Sequence, residues 1–129
     1  MKKLLTATAL TTLVFSPLSA VADSVLGEAE VSANVGFVTD YAFRGISQSN
    51  ENPALQGGFD VVHESGLYAG VWASSVNFND GDEASVEVDG YAGYSGFIDD
   101  FSYDVGAIYY AYPGADSSLD YDFVEASVA

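Results

Sequence analysis

The chain of 129 residues carries 19 Asp+Glu against three Lys+Arg, a formal charge of −16 at neutral pH, and has no cysteine. So acidic a surface repels nucleic acid and attracts cations, and no disulfide can staple the fold. Hydrophobic residues make up 49% but charged residues only 17%, below the roughly 25% of an ordinary soluble domain.

The first segment, "MKKLLTATALTTLVFSPLSAVADS", reads as a secretory leader. Lys2 and Lys3 form a basic start, Leu4 to Phe15 an apolar stretch, and Ala20-Val21-Ala22 a small-residue cleavage site. The apolar stretch falls short of the roughly 20 residues a spanning helix needs. Cleavage after Ala22 is expected, which leaves Arg44 alone against all 19 acids, a side-chain balance of −18. Residues 23–129 then suffice for one domain at most. No later apolar run approaches helical span, which excludes a helical membrane protein.

Six strands are expected, in chain order. In "EVSANVGFVTDYAFR", Val31, Ala33, Val35, Phe37, Tyr41 and Phe43 fall on one face, with Ser32, Asn34, Asp40 and Arg44 on the other. Side chains two apart on a strand point the same way, so one face is apolar and the other polar. "ALQGGFDVVHE" sets Leu55, Phe59 and Val61 against Gln56, Asp60 and Glu64. "GLYAGVWASSVNF" is the third strand, and its pattern does not choose a face. "SVEVDGYAGYSG" sets Val86, Val88 and Ala92 against Glu87, Asp89 and Tyr91. "FSYDVGAIYYAY" opposes Phe101, Val105 and Tyr109 to Ser102 and Asp104, and "YDFVEASVA" starts a sixth strand. None of these stretches has the 3.6-residue period of an amphipathic helix.

The connections alternate in length. Gly45 to Pro53, Asn79 to Ala84 and Pro113 to Asp120 are long; His63 to Gly66 and Phe97 to Asp100 are short. Sequential hairpins with unlike ends are the habit of outer-membrane barrels, which have short periplasmic turns and longer outside loops. Strands of about 9–11 residues also suit a tilted membrane crossing. Tyr41, Phe43, Phe78, Tyr109, Tyr112, Tyr121 and Phe123 all lie near the long-loop end. They are expected to form an aromatic belt at the membrane–water interface.

At "VGFVTDYAFRGISQSNENPALQGGFD", "GLYAGVWASSVNF" and "YAGYSGFIDDFSYDVGAIYYAYPG" the chain resembles the TorF-type porins, a Gram-negative outer-membrane family. The resemblance runs from about Val31 onward, and Tyr41 to Ser47 and Tyr91 to Gly96 carry most of it. It implies an all-β, antiparallel up-and-down transmembrane β-barrel, exported through the periplasm to the outer membrane. It brings no catalytic residues and no solute. Family members are longer, so the chain is expected to represent the N-terminal part of such a barrel, an incomplete one. Eight strands is the usual minimum for a single-chain bacterial barrel.

The polar face supplies the candidate site. Asp40, Asp60, Glu64, Glu87, Asp89 and Asp104 are expected to line an acidic lumen, with Arg44 as internal counter-ion to carboxylates of neighbouring strands, Asp60 being a candidate. Such a lumen favours small cationic solutes over anions. The resulting expectation is a porin for passive diffusion, contacting outer-membrane lipid and small solutes, with no enzyme chemistry, cofactor, metal or nucleic-acid partner. The alternative is a non-conducting structural or adhesive barrel, its lumen plugged by large side chains such as Tyr91 and Tyr110. "NFNDGDEAS" departs from the spacing of a Ca²⁺ loop and reads as a turn. His63 has no second imidazole or thiol with which to build a zinc site.

Overall fold

The computed structural model describes residues 13–14, 18–20, 29–79, 81, 84–116, 118 and 120–129. These residues form an all-β structure, with no helix among them. Six strands make up the sheet: β1 (Ala29–Val38), β2 (Ala54–His63), β3 (Leu67–Ser75), β4 (Val86–Ile98), β5 (Phe101–Ala111) and β6 (Phe123–Val128). Every strand is antiparallel to its neighbour and the spatial order follows the chain order. All six elements expected from alternation are present. Most of the leader expected over residues 1–22 lies outside the described residues. Two short pieces of it, Leu13–Val14 and Leu18–Ala20, pair along the outer edge of β1.

Two connections are tight. Between β2 and β3, the Gly66 N–H donates to the His63 carbonyl at 2.9 Å. Between β4 and β5, Asp99 and Asp100 alone separate the paired residues Ile98 and Phe101, with Asp99 at φ +53°. The connection after β1 is long. There Ala42–Phe43 pairs with Ile46–Ser47 in a small ladder of its own, turned by Arg44 at φ +50° and Gly45 at φ +87°.

Register sorts the side chains into two faces. On one, Phe37 opposes Leu55, Phe59 opposes Val71, Leu67 opposes Tyr94, and Tyr94 opposes Val105. Across the six strands this face contains no Asp, Glu, Lys or Arg. The other face carries Glu30, Asp60, Glu87, Asp89, Asp104 and Glu125. Burial runs opposite to that of a sheet in water. Val35, Phe37, Leu55, Leu67 and Val71 are each 51–60% exposed, whereas Ser74, Glu87 and Asp89 are buried. The third strand, which alternation left unoriented, turns Tyr68 and Trp72 to the polar face and Leu67 and Val71 to the apolar one.

Candidate functional site

The polar face is organised by tyrosines bonded to carboxylates on other strands. Tyr68 of β3 donates to Asp104 of β5 at 3.0 Å, and Tyr91 of β4 donates to Asp60 of β2. Each ring therefore passes over the strand between. In both cases the residue crossed is glycine: Gly93 opposite Tyr68, and Gly70 opposite Tyr91. A Cβ at Gly70 would lie 2.5 Å from the Tyr91 hydroxyl and ring, and one at Gly93 would fall within the Tyr68 phenol. Glycine leaves the space that a ring lying flat on the neighbouring strand requires.

Nearer the long loops the same pattern recurs. Tyr41 donates to Glu87 Oε1 at 2.7 Å, and its ring meets Trp72 edge-on at 5.5 Å. The Tyr112 phenol also feels the Glu87 carboxylate. Tyr110 donates to Glu125 Oε2 at 3.3 Å and stacks on Phe123 at 4.3 Å. Burial, reinforced by the Glu87 carboxylate, pushes the phenols of Tyr41 and Tyr112 well above the ordinary tyrosine range. Both hydroxyls therefore stay protonated, and Tyr41 remains a donor to Glu87.

Four of the acids expected along the lumen, Asp60, Glu87, Asp89 and Asp104, share the polar face. Asp40 and Glu64 lie beyond the strands. Asp40 accepts hydrogen bonds from Ser47 Oγ at 2.5 Å and Ser49 Oγ at 3.0 Å, which closes the loop after β1. Glu64 sits in the turn between β2 and β3.

Arg44 requires a correction. Its Nη2 lies 2.6 Å from Glu125 Oε1 on β6, and Asp60 is instead bonded by Tyr91. Strand β1 ends at Val38, so the alternation that aligned Arg44 with Asp60 stops six residues early. The same break changes the facing of two aromatics. Tyr41 and Phe43 leave the apolar register, and Tyr41 reaches Glu87 while Phe43 lies 6.0 Å from Tyr110. Phe123 also faces the polar side, opposite Tyr110. Phe78, Tyr112 and Tyr121 form a mutual edge-to-face cluster, with centroids 5.5–5.9 Å apart. Together with Gln48 and Phe123 they line a cavity of about 250 Å³. Of the seven expected belt residues only Tyr109 stands on the apolar face, opposite Gly90 and Val124.

Sequence reading missed Glu30, Glu125, Tyr68 and Trp72 on the polar face. For the two acids the signal was present, since each lies next to an apolar-face valine in the alternation. Among the described residues no group of three or more histidine and carboxylate side chains is arranged around a common metal position.

Residues 22–129 match the family described as "Bacterial protein of unknown function (Gcw_chp)". The chain belongs to this family. No curated protein and no solved structure matches it.

Proposed function

We propose that the chain forms wall strands of a transmembrane β-barrel in the outer membrane of a Gram-negative bacterium. There it acts as a porin, passing small cationic solutes by passive diffusion along an acidic interior. The observation that carries this reading is the inverted sheet, with most large apolar side chains of its charge-free face exposed and Glu87 and Asp89 of the other face buried. A sheet in water hides its apolar side because burying apolar surface is favourable. Exposed Val, Leu and Phe on every strand are stable only against a second apolar phase, and lipid supplies one. The long loop after β1 supports curling towards the polar side, since Arg44, close in sequence to the first of the six strands, is paired to the last. The resemblance to TorF-type porins points the same way. The leader over residues 1–22 belongs to this reading, and the exported protein is expected to begin at Asp23 by intact-mass measurement.

Planar bilayers with the refolded protein test the function directly. Cation-selective conductance is expected, with a reversal potential across a salt gradient of the corresponding sign. Anion preference, or no conductance, overturns the porin reading. Heat-modifiable gel migration tests closure separately.

A second reading has its own support. The rings of Tyr41, Tyr68, Tyr91 and Tyr110, bonded to acids across the polar face, take up interior width, and narrow barrels are filled by their side chains. A closed barrel without conductance establishes this non-conducting, loop-presenting form.

A further inference from the structure

We infer that Glu87 and Asp89 form a binding site for one hard, Ca²⁺-type cation at the long-loop end of the polar face, beneath Tyr41 and Tyr112. The two carboxylates stand two residues apart on one face of β4, about 7 Å between Cα atoms. They are 1% and 4% exposed, the most deeply buried charged side chains among the described residues. Glu87 has a partner in the Tyr41 hydroxyl. Asp89 Oδ1 has none, although it is fully shielded from solvent.

An ionised carboxylate buried without a partner costs several kcal/mol, and two together cost more. Among the described residues no side-chain cation can be assigned to them. Of the chain's three Lys+Arg, two are Lys2 and Lys3, outside the described residues, and Arg44 is paired to Glu125 on β6. His63 lies at the opposite end of its strand, in register with Ala29. Around Asp89 stand Trp72 and Tyr110 in register, and Ser74 opposes Glu87; none of these carries positive charge. A proton can neutralise one such carboxylate, but a divalent cation from solution answers both at once.

The donor set consists of carboxylate oxygens, with no nitrogen or sulfur ligand. That suits a hard cation that tolerates irregular oxygen coordination, as Ca²⁺ does, more than zinc or copper. With only two carboxylates, weak affinity is expected, about 10⁻⁴–10⁻³ M as in extracellular Ca²⁺ modules. This deepens the porin reading by placing a cation on its acidic wall. The site itself depends only on the strand register, so binding and conductance can fail independently.

Terbium luminescence tests it with the full chain refolded in detergent. Tyr41, Tyr112 and Trp72 stand close enough to sensitise a bound Tb³⁺. Saturable sensitised emission at neutral pH, displaced by Ca²⁺, is expected. Asp89→Asn should abolish the saturable part, and Asp116→Asn, on an exposed loop, should leave it unchanged. Circular dichroism without metal should show Asp89→Asn folded and no less heat-stable than wild type, because a buried unpaired charge has gone. If that variant does not fold, Glu87→Gln replaces it in the same comparison. Absence of Ca²⁺-displaceable emission in the wild type overturns the site. So does emission that survives Asp89→Asn with an unchanged midpoint, or that Asp116→Asn removes equally. Binding without conductance sustains this site and removes the porin; conductance without binding does the reverse.

Discussion

Replacing Gly70 by alanine puts a methyl group where Tyr91 lies across β3. The added Cβ would meet the Tyr91 Cζ and hydroxyl at 2.5 Å and Cε2 at 2.6 Å, all side-chain atoms. The ring must therefore lift, and its bond to Asp60 breaks. Losing a hydrogen bond to a charged group costs about 1.5–3 kcal/mol, and forcing an extra methyl into a packed site about 1–3 kcal/mol. Against this, alanine is better than glycine in a strand by roughly 0.5–1 kcal/mol. A net loss of about 2–5 kcal/mol follows. The decisive measurement is a double-mutant cycle with Tyr91→Ala, by urea unfolding in detergent followed through the single tryptophan, Trp72. With the ring absent, Gly70→Ala should change sign and stabilise by roughly 0.5–1 kcal/mol. An equal loss in both backgrounds would refute the crossing tyrosine as the reason for glycine at this position.

Three further outcomes are expected. Val71→Arg, at the middle of β3 on the charge-free face, should cost about 2–4 kcal/mol in a bilayer; a change within about 0.5 kcal/mol, as on a wet surface, would remove the lipid-facing assignment. Arg44→Ala should cost no more than about 1 kcal/mol, because its pair with Glu125 is 68% and 32% exposed; urea midpoints would show it, and a loss above roughly 2 kcal/mol would mean the pair is far better shielded than its exposure indicates. The titration of Tyr41 and Tyr112 should leave stability unchanged with pH below the unfolded phenol value of 10.0 and lower it as pH rises above that value. There the unfolded chain releases protons that the folded phenols retain. Alkaline unfolding of Tyr41→Phe should accordingly be shallower than that of wild type, and an identical slope would contradict the raised Tyr41.

Much of the fold was legible because period-two alternation is a local property. Val86-Glu87-Val88-Asp89 can satisfy an apolar and a polar side only as a strand, and the structure places it so. The candidate site was legible as a face but not as a set of partners. Asp60 was assigned to Arg44 because alternation was extended through Thr39 and Asp40, where the backbone leaves the strand. Nothing local announces that exit, since Tyr41 and Phe43 continue the odd-numbered apolar series. Their rings turn to the polar side because Glu87, Trp72 and Tyr110 lie there to receive them, contacts that join residues more than 30 positions apart. "GLYAGVWASS" resisted orientation for a related reason. Small residues on one side and rings on the other fit either face until Gly93 is seen opposite Tyr68 and Asp89 opposite Trp72.

By itself, then, the sequence determined that there are strands, how many, and that each separates oily from polar side chains, because neighbouring residues on an extended backbone have no other choice. The tertiary structure alone decided which acid each tyrosine bonds, that Arg44 answers to Glu125, and that Asp89 is buried with an oxygen unanswered. Those outcomes depend on register between strands and on where a loop folds back. Both arise from distances across the sheet that no count of residues along the chain contains.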